Sequence, residues 1–298
     1  MIISIVGPTA VGKSDLAIDI AEAIGAEIVS ADSMQVYVGM DIGTAKVPGS
    51  ERRGVAHHML DVWDPGHEVS VVEFRDRARA CVEEIEARGR TVVIVGGSWL
   101  YVQAVLDEMD FPGTDPQVRA RLEAELAEAG PEALHARLAS IDAEAAAAIL
   151  PTNGRRIVRA LEVVELQGSF TAQLPQPTPW RDAQWIGIAC DRLVLDARIA
   201  ARVDRMWAEG FIDEVRGLSA RMGRTASGAL GYRQVLEVLG GDEELTGDAD
   251  AMEIARQRTI DGTRRFARRQ ERRFRQDERV RWIPAGTGAS EVLNLLSR

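Results

Sequence analysis

Short apolar runs alternate with longer amphipathic stretches over the N-terminal third of the chain. Ile2 to Val6 is a compact Ile/Val run that breaks into Gly7-Pro8-Thr9, and a helical pattern follows from Ser14 to Ile24. Glu27 to Ser30 and Thr91 to Val95 read as two further buried strands, the second a Val/Ile run after its threonine. Between them, Val71, Phe74, Ala78, Cys81, Val82 and Ile85 fall on one stripe at helical spacing, which predicts an amphipathic helix over 70–88. Strands alternating with helices predict an α/β fold around a parallel sheet. Trp185 to Cys190 adds a strand much later.

The gap before that strand has its own character. After Phe111-Pro112-Gly113 the chain turns to Ala, Glu, Leu and Arg as far as Gln167, and Pro175, Pro177 and Pro179 punctuate the return to the sheet. Residues 113–180 are therefore expected to be a helical insertion, broken near Gly130-Pro131 and Pro151, within a core made of 1–112 and 181–298. From Leu195 onward the pattern is helical again, with Gly210, Gly217, Gly223 and Gly240-Gly241 as stops or turns. No apolar run approaches the roughly 20 residues that span a bilayer. No basic n-region precedes Ile2, and Cys81 and Cys190 are too few for a disulfide framework or a four-ligand zinc site. A cytoplasmic protein is the expectation.

Charge sharpens the picture. The formal net charge is −10, yet residues 254–281 hold 11 arginines against Asp261, Glu271, Asp277 and Glu278. An acidic protein with one strongly basic segment fits a localised polyanion contact. Arg264, Arg268, Arg272, Arg275 and Arg279 are expected on one helical stripe, with Phe266 and Phe274 as core residues. Of 36 basic residues only Lys13 and Lys46 are lysine, which hints that these positions need a compact ammonium.

Lys13 closes the segment Gly7-Pro8-Thr9-Ala10-Val11-Gly12-Lys13-Ser14, a P-loop pattern placed between a strand and a helix. In such a turn, backbone N–H groups and the positive end of the following helix face phosphate oxygens. The ammonium reaches the terminal phosphate, and the Ser14 hydroxyl is the expected ligand of Mg²⁺. NTP-hydrolysing P-loop proteins place a carboxylate at the end of a neighbouring strand. Here Thr91 to Val95 runs into Gly96-Gly97-Ser98 without one, and with Asn153 and Asn294 as the only asparagines there is no guanine-reading Asn-Lys-x-Asp. Small-molecule kinases and transferases that release diphosphate remain. Asp32, at the carboxyl end of the second strand, could hold a metal through water, orient a substrate, act as a general base or merely cap a turn.

Further motifs run the length of the chain: Asp32-Ser33-Met34-Gln35-Val36-Tyr37, Asp41-Ile42-Gly43-Thr44-Ala45-Lys46, His57-His58-Met59-Leu60-Asp61, Gly96-Gly97-Ser98-Trp99-Leu100-Tyr101, Arg155 to Glu162, Arg202 to Met206, Gly231-Tyr232 and Arg264 to Gln270. With the P-loop, this succession resembles the bacterial tRNA dimethylallyltransferases. The resemblance implies transfer of a dimethylallyl group from dimethylallyl diphosphate to N6 of adenosine 37 in the anticodon loop, with Mg²⁺ and release of diphosphate. It implies a catalytic role for Asp32 as base, with Thr9 and Arg202 at the diphosphate. Ser33, Met34, Gln35, Ser98 and Arg119 would approach the target nucleotide beside Asp32. Arg155, Arg156 and Arg159, together with Arg268, Arg269, Gln270, Arg272 and Arg275, would hold the anticodon stem-loop, the enzyme acting as a monomer.

The chain departs from the family pattern at Ser98-Trp99, Val47, Asn153-Gly154, Gly228 and Glu271 to Phe274, none of them at Thr9, Lys13, Ser14 or Asp32. His57 and His58 are adjacent and diverge on a regular element, so a packing or hydrogen-bonding role is expected over a metal site. A small-molecule or nucleotide kinase would share the P-loop but would not need the insertion or the basic segment. An isopentenyltransferase acting on free AMP meets the same objection, and an RNA-binding module leaves the P-loop unexplained. If arginine–phosphate contacts hold the RNA, its affinity falls steeply with added salt, measurable by filter binding across a salt series. A flat response would argue against such contacts.

Overall fold

The computed structural model describes residues 1–109, 111–170, 178–240 and 249–297. Pro175, Pro177 and Gly241, read above as breaks, lie outside the described residues. The chain forms two compact units, Met1–Asp107 with Pro179–Arg298, and Glu108–Thr178.

In the first unit, β1 (Ile2–Val6), α1 (Lys13–Ile24), β2 (Glu27–Ser30), β3 (His57–His58), α2 (Val71–Ala87), β4 (Val92–Gly96) and α3 (Trp99–Leu106) follow in order. β5 (Asp107–Glu108) then ends the first pass. The second unit holds α4 (Pro116–Ile141), α5 (Ala143–Ala147) and α6 (Gly154–Gln167). After β6 (Thr178–Pro179) come β7 (Ala183–Ala189), α7 (Arg192–Ala208), α8 (Phe211–Leu218), α9 (Arg224–Ser227), α10 (Tyr232–Leu239), α11 (Ala249–Phe274), β8 (Val280–Pro284) and α12 (Ala289–Leu296). No helix of the described residues is long and apolar enough to cross a membrane.

The six-stranded sheet has the order β3-β2-β4-β1-β7-β8, and all of its pairings are parallel. Register aligns the carboxyl ends, since Val6 lies opposite Gly96 on one side and Gly187 on the other, and Ser30 lies opposite Val95. The loops after β1, β2 and β4 therefore open on the same edge, where open parallel sheets bind ligands. β1 and β2 are buried throughout, as strands covered on both faces require. The expected stripe on α2 is observed: Phe74, Ala78, Cys81, Val82 and Ile85 are buried, and Ser70 caps the helix by accepting from the Glu73 N–H.

Three expectations need correction. β8 was read as part of a helical C-terminal region. Val280-Arg281-Trp282-Ile283 is instead an edge strand on β7, its apolar residues masked by Arg279 and Arg281 on either side of Val280. The stripe proposed to run to Arg279 stops early, because α11 ends at Phe274. Arg279 turns inward, binding both oxygens of the buried Asp107 at 2.5 and 2.9 Å and stacking on Trp185 at 4.5 Å. That pairing, with the Arg79 donor at 2.7 Å to the Asp107 carbonyl, also explains why the first unit extends to Asp107 and not to Pro112.

The second unit has its own core of Leu122, Leu134, Leu138, Ile149, Ile157 and Leu161. The predicted break in α4 is real: Gly130 has φ 80° and ψ 166°, with Pro131 following.

His58 and His57 are engaged locally. His58 Nε2 lies 2.7 Å from Glu27 Oε2, and His57 Nδ1 2.9 Å from the Val55 carbonyl. Glu27 is buried, and Arg88, donating at 2.8 Å, holds its carboxyl below the ordinary 4.5, with His58 adding to the effect and burial opposing it. A lowered folded-state value means the carboxylate stabilises the fold above the unfolded value and loses that effect as pH falls through the folded one. Glu27→Gln should cost roughly 1 kcal/mol at neutral pH, discounted because its arginine partners are half-exposed. Urea unfolding at a series of pH values should show the gap from wild type closing in acid.

Candidate active site

β1 ends at Val6 and α1 begins at Lys13, and the turn between them needs glycine at its base. Gly7 has φ 141°, and a Cβ there would sit 3.0 Å from the Ile188 carbonyl oxygen on β7. Gly12, at φ 99°, precedes the helix. Backbone N–H groups at the start of α1 have no helical partner, which leaves them available to an anion.

Four predicted side chains meet here. Lys13 Nζ donates to the Pro8 carbonyl at 2.7 Å. Burial pushes its ammonium down to about 8, the Asp32 carboxylate opposing and the Arg202 guanidinium reinforcing the fall. Thr9 Oγ1 accepts from Arg202 Nη1 at 2.8 Å, and burial lowers Arg202 as well. Asp32 Oδ1 accepts from the Met34 and Gln35 N–H groups at 2.8 and 3.3 Å. Half of this carboxylate thus caps its own turn. Oδ2 has no hydrogen bond among the described residues, and the side chain lines a cavity of about 900 Å³ that Thr9, Lys13, Ser14 and Arg202 share.

The remaining predicted residues divide. Ser33 and Ser98 hydroxyls face one another at 3.5 Å near Asp32. Gln35 accepts from Ser30 Oγ at 2.9 Å and donates to the Thr44 and Ala45 carbonyls, so its amide is occupied inside the protein. Gln270 is buried and also occupied: Oε1 accepts from the Thr9 N–H at 2.9 Å, and Nε2 donates to the Gly97 carbonyl at 2.9 Å. It joins the P-loop to the loop after β4, a different task from holding RNA. Trp99, a departure from the family pattern, packs on the core with its ring 5.6 Å from the Arg273 guanidinium. Phe274 is core, whereas Phe266 lines the cavity.

In the second unit, Arg119 and Arg159 both pair with Glu162, which is fully buried, and Arg159 also donates to the Pro112 and Gly113 carbonyls. Arg155 and Arg156 are exposed. On α11, Arg268, Arg269 and Arg272 are exposed, while Arg275, just beyond it, pairs with Glu271 at 2.7 Å and covers Trp282.

Other residues of the site escaped the sequence reading. Arg198 and Arg205 line the cavity beside Arg202, and their spacing on one helix was a readable signal. Lys46 does need a compact ammonium: Nζ is buried among Tyr37 O, Asp41 Oδ1 and Asp61 Oδ1 at 2.5, 2.8 and 2.5 Å. Glu214 receives the N–H groups of Asp41, Ile42 and Gly43.

This geometry couples a turn suited to an anion to a carboxylate in one cavity. A family model described as IPP transferase matches residues 35–277. The chain belongs to the IPP transferase family. It is 57% identical over 292 residues to a tRNA dimethylallyltransferase of Thermobifida fusca, covering 95% of this chain and 89% of that one. Among solved structures it is similar to the tRNA isopentenylpyrophosphate transferase of Bacillus halodurans, at 39% identity and TM-score 0.71, covering 99% and 95% of the two chains. A Staphylococcus epidermidis tRNA isopentenylpyrophosphate transferase matches at 34% identity and TM-score 0.70, covering 99% and 97%.

An anion at this turn is favoured by the charged form of Lys13. With its value lowered to about 8, Lys13 is charged below that pH and loses its proton above it. Pyrophosphate affinity should therefore weaken above about pH 8, by up to roughly tenfold per pH unit, relative to a Lys13→Ala baseline. Calorimetric titration across that range checks it; parallel curves for the two proteins would refute it.

Proposed function

We propose that the protein is a tRNA dimethylallyltransferase that moves the dimethylallyl group of dimethylallyl diphosphate onto N6 of the adenosine beside the anticodon, releasing diphosphate. The observation that carries this is the shared cavity: Lys13, Thr9 and Arg202 at one end and the open oxygen of Asp32 in the same space, in a chain of the IPP transferase family. The kinase alternative shares the P-loop but finds no support among the similar proteins.

An exocyclic adenine amine is a weak nucleophile because its lone pair is delocalised into the ring. Asp32 Oδ2 takes the N6 proton as nitrogen attacks the allylic carbon, so the N–C bond forms while the C–O bond breaks. Both electrons of that bond leave with diphosphate. Lys13, Arg202 and the N–H groups of the turn hold the charge that develops on its oxygens, and Arg202 fixes the Thr9 hydroxyl beside them. The oxygens of Ser14 and Asp32 line one cavity and suit a hard cation, so Ser14 would hold Mg²⁺, which would supply further neutralisation of the leaving group.

To enter the cavity the base must leave its stack. We assign the phosphates of the stem-loop to exposed arginines, Arg155 and Arg156 on α6 and Arg268, Arg269 and Arg272 on α11. We place the enzyme in the cytoplasm, acting as a monomer.

With labelled dimethylallyl diphosphate, Mg²⁺ and unmodified tRNA, wild type should label the tRNA. Asp32→Ala should slow the single-turnover rate by about 10²- to 10⁴-fold while keeping pyrophosphate affinity. Phosphate transfer from ATP to a small acceptor, with unlabelled tRNA, would overturn the proposal.

A further inference from the structure

The segment after Asp32 forms a wall of the cavity through Asp41, Ile42, Thr44 and Lys46, yet it contains almost no regular structure. Its backbone amides need partners from elsewhere. They find them on α8: Glu214 Oε2 accepts from the N–H groups of Asp41 and Ile42 at 3.0 and 2.7 Å, and Oε1 from Gly43 at 3.1 Å. The Tyr232 hydroxyl donates to Oε1 at 2.5 Å. One carboxylate offers about four lone-pair sites, and here each finds a donor.

Packing enforces the same contact. A Cβ on Gly43 would lie 2.3 Å from the Phe211 ring and 2.4 Å from the Tyr232 ring, which meet edge to face at 5.0 Å. Only glycine lets the backbone come down onto Glu214. The far end of the segment is pinned by Lys46 between Asp41 and Asp61. From there the connection returns to the base: Gln35 donates to the Thr44 and Ala45 carbonyls, and the Gln35 N–H donates to Asp32.

We infer that Glu214 is a positioning residue for prenyl transfer: its carboxylate, steadied by Tyr232, sets the wall that orients Asp32 and shapes the space for the acceptor. The inference rests on the proposed reaction. It acts on the chemical step and leaves the diphosphate end alone, because none of Glu214's hydrogen bonds reaches the P-loop or Arg202.

The test compares wild type, Glu214→Gln and Tyr232→Phe in full-length protein, reading single-turnover transfer, pyrophosphate affinity and amide hydrogen exchange. Glutamine has one acceptor oxygen, and its NH₂ would face N–H donors. Glu214→Gln should slow transfer by about 10- to 100-fold, as misplacement of a catalytic group does. Pyrophosphate affinity should stay within about twofold of wild type, since its ligands are untouched. The amides of Asp41, Ile42 and Gly43 should exchange faster. Tyr232→Phe keeps the ring and should change the same readouts less. Transfer at the wild-type rate, or parallel loss of transfer and pyrophosphate affinity, overturns the inference. If Glu214→Gln does not fold, Tyr232→Phe decides alone, with unchanged transfer and exchange overturning the inference. An inactive wild type refutes the reaction, and unchanged exchange at these amides in Glu214→Gln refutes the positioning, so the two failures are distinguishable.

Discussion

Adjacent parallel strands that end in register bring two loops side by side, and each loop leaves backbone groups that no strand can satisfy. Here the loops follow β1 and β4, and the groups are the Thr9 N–H and the Gly97 carbonyl. A primary amide both donates and accepts through a fixed plane, and Gln270 supplies one from α11. Because Gln270 is buried, losing either bond would strand a polar group away from water. The P-loop, the start of α3 and the long basic helix are thereby locked together. The Thr9 hydroxyl in turn accepts from Arg202, so the same bridge governs where this end of the cavity lies.

What could be read from the chain in advance was whatever depends on neighbours in sequence. The strand–turn–helix around Lys13 and the placement of Asp32 after β2 are local, and the structure puts both in one cavity. Gln270 meets Thr9 across 261 residues, and Glu214 meets Gly43 across 171. Contacts of that kind leave no spacing to detect, so neither the bridge made by Gln270 nor the one made by Glu214 is legible in the chain. The partner of Arg119 and Arg159 is likewise set by the fold. Both pair with Glu162, a carboxylate set among Leu161, Val163 and Val164 on a buried face. A charged residue within an apolar stripe was the signal that an internal ion cluster would claim nearby arginines.

β8 shows a different limit. An edge strand has one neighbour and one partly solvated face, so its composition need not be apolar. Val280 and Ile283 alone carry its burial, and Arg279 before it and Arg281 within it give the segment the look of a polyanion contact.

The two lysines, retained in a chain that otherwise uses arginine, show how one side chain type serves opposite ends. Lys46 is enclosed by two carboxylates and a carbonyl, which use up the three donors of its ammonium; it is neutralised and structural. Lys13 has a single carbonyl partner, with Asp32 nearby to favour its charge and Arg202 to oppose it. Burial adds to the opposition, so the cation at the mouth of α1 is under-compensated. A compact ammonium can leave one carbonyl for a phosphate oxygen without rearranging a planar fork, as a guanidinium in that place could not. The unmet charge is therefore not a flaw of the site. It is charge that the fold sets in place for an anion at this turn, held there by the register of β1 against its neighbours.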